Sequence, residues 1–438
     1  MKTVSLKNNP MFWVPTLYFA EGIPYFIVNV ISVTMFKRMG MANGDLALFT
    51  SLLYLPWVIK PLWSPFVDII RTKRWWIIAM QVLISAVFTA LALTMPHLPE
   101  SEISTGNVPV SPFVITLILF YICAFASATH DIAADGFYML ALDSHRQSLY
   151  VGIRSTFYRI ASVFGQGVLV VVAGVLEQKY SDIPRAWVMT LLLTAALFAA
   201  VTLWHIYSLP EVESSESHPE GAKRIMSEFV RAFGTFFRKP GVWVAVIFML
   251  LYRLPEALSV KMLSPFMLDP VSSGGLGLTT VQSGMVYGTV GVIALTVGGI
   301  VGGVMASRWG LRKALWPMAL SLALPCAVYL YMSIAHPSLW VVYLCVAFDQ
   351  FGYGFGFTAY MLYMIYFSEG EFRTSHYAIC TAFMALSMMI PGLFAGYMQE
   401  SIGYTGFFIV VMVCCLATVA MTFVVRRGID PGFGRKAG

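Results

Sequence analysis

Long apolar runs separated by short polar connections make up most of this chain. A helix needs about 20 largely apolar residues to cross the hydrocarbon core of a bilayer. Twelve runs reach that length, so the pattern predicts an all-α integral membrane protein with twelve spanning helices. Spans one to twelve cover residues 11–35, 46–67, 75–95, 112–140, 149–176, 186–208, 241–267, 281–306, 314–334, 339–367, 375–399 and 405–425.

The longest connection, 209–240, divides the chain into two halves of six spans each. Its first part is polar, and its second part, 225–237, has apolar residues at helical spacing with Arg231 interleaved. This spacing predicts an amphipathic helix on the membrane surface. We therefore expect a six-helix bundle over 1–208, a linker over 209–240, and a second six-helix bundle with a short tail over 241–438.

The two halves carry related sequences at corresponding places. Arg146-Gln-Ser-Leu-Tyr150 opens span five and Arg373-Thr-Ser-His-Tyr377 opens span eleven, while Leu17-Tyr18 in span one corresponds to Leu251-Tyr252 in span seven. Internal repeats of this kind are typical of secondary transporters. Two pseudo-symmetric six-helix bundles predict the major facilitator fold.

Composition and charge exclude several other classes of protein. Only 11% of residues are charged, whereas a soluble domain has about a quarter. The net charge of +6 comes from short basic clusters between spans, which excludes a nucleic-acid-binding surface. The sequence shows no metal, nucleotide or flavin motif, and its six cysteines lie in apolar runs, so we expect no cofactor.

The basic residues also predict the orientation of the chain in the membrane. Nineteen of the 28 Lys and Arg residues fall on one side of the predicted spans and four on the other. Because cytoplasmic loops are enriched in Lys and Arg, we expect both termini in the cytoplasm.

Five acidic residues lie inside predicted spans, where a charge costs several kcal/mol or more. In the major facilitator fold, spans one, four, seven and ten line the central cavity, and all five residues fall on those spans. We interpret them as candidates for proton coupling; the alternative is a set of structural ion pairs. They are Glu21 in span one, Asp131 and Asp135 in span four, Glu256 in span seven and Asp349 in span ten.

Basic and polar residues inside the spans are candidates for substrate binding. Arg253 and Glu256 are three residues apart, so they can pair on one helix face. Lys60 and Lys261 lie nearer helix ends, where the alternative is snorkelling to the interface. The substrate-binding candidates are Arg253, Lys261, Arg159, Tyr25, Tyr252 and Gln350.

Spans four and five predict two ion pairs across one hairpin. Folding the chain back near residue 145 places Asp131 opposite Arg159 and Asp135 opposite Arg154. Such pairs either stabilise the bundle or act in gating. His130 is a candidate proton relay or a merely hydrogen-bonded side chain. The gating and ion-pair candidates together are Arg154, Arg159, Asp131, Asp135, Asp68 and Lys60.

Several short motifs carry a family resemblance. Ala128-Thr-His-Asp131-Ile-Ala-Ala-Asp135-Gly in span four resembles ATQDIAxDG, and Lys60-Pro-Leu-Trp-Ser-Pro65 followed by Asp68 resembles KxLWSPxxD. Both signatures belong to the AmpG muropeptide permeases and acetyl-CoA transporters, a branch of the major facilitator superfamily. This chain departs from AmpG permeases at Glu21, where a small residue is common, and at His130, which replaces Gln.

The resemblance implies proton-driven import of a large polar solute across the bacterial inner membrane. For AmpG permeases that solute is a GlcNAc–anhydro-muramyl peptide. Alternative cargoes are acetyl-CoA or another CoA thioester, or a siderophore-like solute. A distant alternative is a membrane-embedded transferase with His130 and Asp131 as an acid–base pair. We expect a monomeric transporter, not an enzyme, whose partners are its solute, protons and the bilayer, with no nucleic acid.

Overall fold

The computed structural model describes residues 9–212 and 219–434, apart from the side chains of residues 68, 144, 145, 148, 151 and 219–223. Each predicted span falls on a helix. Ten helical stretches within the described ranges are long and apolar enough to cross a membrane. One of them, Arg373–Arg426, has 54 residues and contains both span eleven and span twelve. The predicted all-helical fold class is confirmed.

Three spans of the first half begin at polar caps. The side chains of Thr72, Asp143 and Asp182 each accept a hydrogen bond from a backbone N–H in the first turn of spans three, five and six. The helices are Val14–Phe26, Ile27–Ile31 and Ser32–Arg38 in span one, Asn43–Leu52 and Leu55–Ile70 in span two, Lys73–Leu93 in span three, Val114–Ala141 in span four, Ser144–Val163, Phe164–Leu169 and Val170–Tyr180 in span five, and Ile183–Ser208 in span six.

In the second half, span seven is broken and spans eleven and twelve are separated at residues that disfavour a regular helix. Span seven is interrupted at Tyr252 and Arg253, directly before Pro255, whose ring cannot continue the hydrogen-bond ladder. Gly403, with φ of 72°, separates spans eleven and twelve. The helices are Val242–Leu251 and Leu254–Leu268 in span seven, Thr280–Ser283, Gly284–Gly291 and Val292–Trp309 in span eight, Leu311–Ala323 and Ala327–Ala335 in span nine, and Leu339–Ser368 in span ten.

The described residues group into two compact units. The first is drawn from Met1–Gly40 and Ile59–Glu228, and the second from Met41–Val58 and Phe229–Gly438. The first half of span two therefore packs with the second unit. Trp13, Leu17 and Phe137 are among the buried side chains of the first unit. Phe248 and Tyr360 are among those of the second.

The predicted amphipathic linker helix is present as Pro219–Phe237. Its apolar face is divided between two environments. Phe236 is fully buried against Phe367 and Phe383 of the second unit, whereas Val230 is 62% exposed. Part of the face that the sequence assigns to lipid thus packs on protein, because aromatic side chains of spans ten and eleven cover it.

Candidate functional site

Three carboxylates meet in the first unit. Glu21 of span one lies against Asp131 and Asp135 of span four, and carboxylate oxygens of the three residues lie within 4.8 Å of one another. Asp131 and Asp135 share a helix face because they are four residues apart. Glu21 is 7% exposed, and its Oε2 atom has no hydrogen-bond partner among the described residues. We call these three residues the carboxyl cluster.

Two cations lie on the carboxyl cluster. The ammonium group of Lys60 donates to Asp131, and a guanidinium nitrogen of Arg154 lies 2.6 Å from Oδ1 of Asp135. The hydroxyl group of Tyr18 also donates to Asp135, at 3.2 Å. Three carboxylates and two cations leave one negative charge unbalanced among these side chains. A single monovalent cation, most simply a proton, would neutralise the cluster.

One of the two predicted hairpin ion pairs is confirmed and the other is wrong. Asp135 pairs with Arg154 as expected, but Asp131 pairs with Lys60 instead of Arg159. The reason is that spans four and five make few direct contacts, because span one packs against both of them. At Gly22 a side chain would collide with Ala161 of span five, so span one lies directly on span five there. Arg159 itself is half-buried on span five.

The contact with Asp131 decides between the two interpretations of Lys60. A snorkelling lysine would reach for the interface, whereas this one turns to a carboxylate inside the unit. The side chain of Asp68, proposed as a gating partner, lies outside the described residues. Tyr25, a candidate for substrate binding, is half-buried beside Phe26 on span one.

Arg253 and Glu256 form a buried ion pair in the second unit. Nε of Arg253 donates to Oε2 of Glu256 at 2.7 Å, and Nη2 donates to Oε1 at 2.9 Å. Nη2 also donates to the hydroxyl group of Tyr353, and the guanidinium lies 4.7 Å from the ring centre of Phe357. Both charged residues are at most 7% exposed. The ion pair expected from their spacing is therefore present, and in this conformation the two side chains bind each other.

Asp349 is a buried carboxyl group of a different kind. It is 8% exposed and accepts hydrogen bonds from the hydroxyl group of Tyr329 at 2.6 Å and from Nε2 of Gln350 at 3.0 Å. Within the described ranges, no Lys or Arg forms an ion pair with it. The side-chain amide of Gln350, predicted to bind substrate, thus donates to Asp349 in this structure. Tyr252, also predicted to bind substrate, is fully buried and donates to the carbonyl oxygen of Gly356.

Lys261 is the most deeply buried of the predicted substrate-binding cations. It is 1% exposed, and its ammonium group donates to Oγ1 of Thr50 at 3.2 Å. It also lies 5.1 Å from the ring centre of Tyr54. The snorkelling alternative does not describe this side chain, because it lies inside the second unit.

A series of hydrogen-bonded polar side chains in the first unit was not predicted from the sequence. His130 lies 2.9 Å from Gln81, Gln81 lies 3.0 Å from His205, and His205 lies 2.9 Å from Thr16. All three larger side chains are fully buried. His130 therefore makes its hydrogen bond to Gln81 of span three. The sequence feature that could have predicted these hydrogen bonds is that Gln81 and His205 are isolated polar residues within apolar runs.

Comparisons with known proteins agree on the class of this chain. The sequence profile of the Major Facilitator Superfamily matches residues 16–369. The chain is 23% identical to the anhydromuropeptide permease of Escherichia coli K12, covering 94% of this chain and 79% of that protein. It is 24% identical to the putative transporter AmpG 4 of Rickettsia conorii, with 98% and 99% covered.

Solved structures show the same fold at lower sequence identity. A bacterial homologue of the human lysosomal transporter Spinster, in an inward-facing and unoccupied conformation, superposes with a TM-score of 0.71 at 15% identity, covering 98% of each chain. A D-xylose–proton symporter superposes with a TM-score of 0.71 at 12% identity, covering 98% of this chain and 99% of that one. At these identities the likeness establishes the fold alone.

Proposed function

Because this chain belongs to the Major Facilitator Superfamily, we propose that it is a proton-coupled importer of an anhydro-muropeptide. The observation that carries the proton coupling is the carboxyl cluster: Glu21, Asp131 and Asp135 against only Lys60 and Arg154. An unbalanced charge inside a membrane protein is costly, so the cluster favours holding one proton.

Glu21 is the proposed proton carrier within the cluster. Within the described ranges, Asp131 and Asp135 each form an ion pair with a cation, whereas Glu21 forms none and keeps one buried oxygen without a partner. The Glu21 side chain lies within hydrogen-bonding reach of Asp131. A protonated Glu21 would donate to the Asp131 carboxylate, which removes the repulsion between them. Loss of that proton restores the repulsion, and this difference couples protonation to the conformation of span one.

The proposed substrate follows from the named relatives. The span-four and Trp-Ser-Pro motifs resemble the AmpG branch, and the Escherichia coli relative is named an anhydromuropeptide permease. Buried cationic Lys261 fits a solute with acidic groups. CoA thioesters share that property and are the second candidate. The two relatives and two solved structures described above are named as a permease, a transporter, a transporter homologue and a symporter, and we propose no enzymatic step.

We further propose that the protein works as a monomer in the bacterial inner membrane. Its termini would both lie in the cytoplasm, and transport would follow an alternating-access cycle. The asymmetry of Lys and Arg between the two sides of the spans supports this orientation.

The test is uptake of labelled GlcNAc–anhydro-muramyl tripeptide by proteoliposomes under an imposed inward proton gradient. We expect gradient-dependent uptake that Glu21→Gln removes, while counterflow of the solute without a gradient continues. Glu177→Gln is the matched control, since Glu177 is an equally buried acid of the same unit that pairs with Arg38 outside the cluster.

Three results would contradict parts of this proposal. Equal gradient-driven uptake by Glu21→Gln and wild type would remove Glu21 from the coupling role. Uptake that needs a sodium gradient would replace the proton by a metal cation. Counterflow with acetyl-CoA but not with the muropeptide would move the substrate to the second candidate.

A further inference from the structure

We propose that Lys261 and Ser51 form a subsite for an oxyanion group of the transported solute, a carboxylate or a phosphate. The inference rests on the proposed transport function and specifies the chemistry of the solute that it moves. Its basis is a pair of buried, under-satisfied polar side chains that lie against the same glycine in the second unit.

A protonated Lys261 would carry a charge that the described residues do not balance. It is 1% exposed, and no carboxylate within the described ranges forms an ion pair with it. An ammonium group has three N–H donors, and one hydrogen bond is seen, to Thr50. The ring of Tyr54 offers only a partial electrostatic contact. An unpaired ammonium in such a setting is costly, and an oxyanion ligand would remove that cost.

Ser51 supplies a second free donor at the same place. Its Oγ atom is fully buried and has no hydrogen-bond partner in the part of the chain that the structure describes. Gly392 of span eleven connects the two residues. A Cβ atom placed at Gly392 would overlap Ser51 Oγ and would lie 3.1 Å from Cγ of Lys261. The serine hydroxyl and the lysine stem therefore border the same glycine, which places the two side chains next to each other.

A group of hydrogen bonds, here called the polar latch, joins the start of span two to residues at the ends of spans seven and eleven in the second unit. Nδ2 of Asn43 donates to Oε1 of Gln399 at 2.7 Å and lies 3.0 Å from the hydroxyl group of Tyr404 and 3.2 Å from Oδ2 of Asp269. Gly44 N–H donates to Glu400 at 2.8 Å. Ser51 lies eight residues further along the helix, or about 12 Å. The subsite is thus occluded behind this latch, and a ligand reaches it when Asn43–Leu52 parts from spans seven and eleven.

The first test uses oxyanions alone, so it does not depend on the identity of the solute. Thermal stability of the purified full-length protein is measured with sodium acetate or sodium phosphate against sodium chloride at equal ionic strength. We expect the oxyanions to raise the Tm of wild type and of Lys179→Met, an exposed control lysine, but not of Lys261→Met. An oxyanion effect that is equal in Lys261→Met and wild type would overturn the proposal.

The second test measures affinity for the muropeptide and for its carboxamide derivative. Lys261→Met should weaken binding of the acid form by roughly tenfold or more and leave the carboxamide unchanged. Ser51→Ala should weaken the acid form by roughly two- to tenfold, and Lys261→Arg should recover part of the loss. Equal losses for the acid and the carboxamide would mean that Lys261 acts only in packing, which would also overturn the proposal.

The two tests separate failure of the subsite from failure of the proposed substrate. If acetate stabilises through Lys261 while the muropeptide does not bind, the subsite stands and the muropeptide assignment falls. Coenzyme A and its dephospho form then replace the muropeptide pair, and a Lys261-dependent preference for the additional phosphate would identify phosphate as the bound group. Gly392→Ala, whose Cβ atom would overlap the Ser51 hydroxyl without changing charge, should reduce binding in whichever pair is used.

Discussion

Removal of the Lys60 charge provides a quantitative test of the carboxyl cluster. Lys60→Met leaves Asp131 without its cation beside two other carboxylates. Two unit charges about 3 Å apart attract by roughly 5–6 kcal/mol at an effective dielectric constant of about 20. The Lys60 and Asp131 side chains are 23% and 21% exposed, so water screens part of this attraction. Breaking such a pair from one side is expected to destabilise the protein by about 3–5 kcal/mol.

The double substitution Lys60→Met/Asp131→Asn should be far less destabilising than Lys60→Met alone. It removes both charges and leaves Glu21, Asp135 and Arg154, which one proton still balances. The assay is thermal unfolding of the purified full-length protein for wild type, both single variants and the double variant. A matched cycle on Arg38 and Glu177, paired at 3.0 Å in the same unit, calibrates an ordinary ion pair.

Additive effects of the two single substitutions would refute this reasoning, because they would mean that Lys60 and Asp131 do not interact energetically. A double variant that is as stable as wild type yet transports with unchanged proton dependence would refute a different step. It would show that Asp131 stabilises the cluster but takes no part in coupling.

Two further predictions concern the second unit. Arg253→Met should destabilise the protein by about 3–5 kcal/mol in thermal unfolding, because it leaves Glu256 buried and unpaired. Arg253→Lys should recover only part of the lost stability, since lysine cannot donate the two parallel hydrogen bonds that the guanidinium makes. An Arg253→Met variant as stable as wild type would contradict the ion pair. Gly396→Ala should lower stability by about 1–3 kcal/mol, because its Cβ would overlap the carbonyl oxygen of Asn43 in the latch. Gly303→Ala, where no atom lies within 4 Å, is the control and should be neutral or slightly stabilising; equal effects of the two would contradict close packing at the latch.

Much of the site follows from local sequence, and the accuracy of each expectation depends on how local it is. The Arg253–Glu256 pair needs only helix geometry, since three residues separate them. The Asp135–Arg154 pair lies near the turn between spans four and five, so folding the chain back predicts it. The Asp131–Arg159 pairing lies farther from that turn, where span one separates the two helices, and it is wrong. Lys60 replaces Arg159 because a third helix brings it there.

Sequence alone determined where the helices lie. In lipid every backbone polar group must be satisfied within its own segment, so the length of each apolar run sets the length of a helix. The interruptions next to Pro255 and at Gly403 also have a local cause, since a missing N–H and a positive φ are properties of single residues. The presence of buried charges was likewise evident, because charges inside apolar runs are conspicuous.

Only the tertiary structure decided which of those charges meet. Contacts such as Lys60 with Asp131, Lys261 with Thr50, and Asn43 with Tyr404 join residues far apart in the chain. They depend on which helices are neighbours. The sequence of an apolar helix face says little about which helix packs against it. The first half of span two illustrates this point, because its contacts place it with the second unit. That placement brings Thr50 and Ser51 to Lys261, and no periodicity along the chain could have shown it.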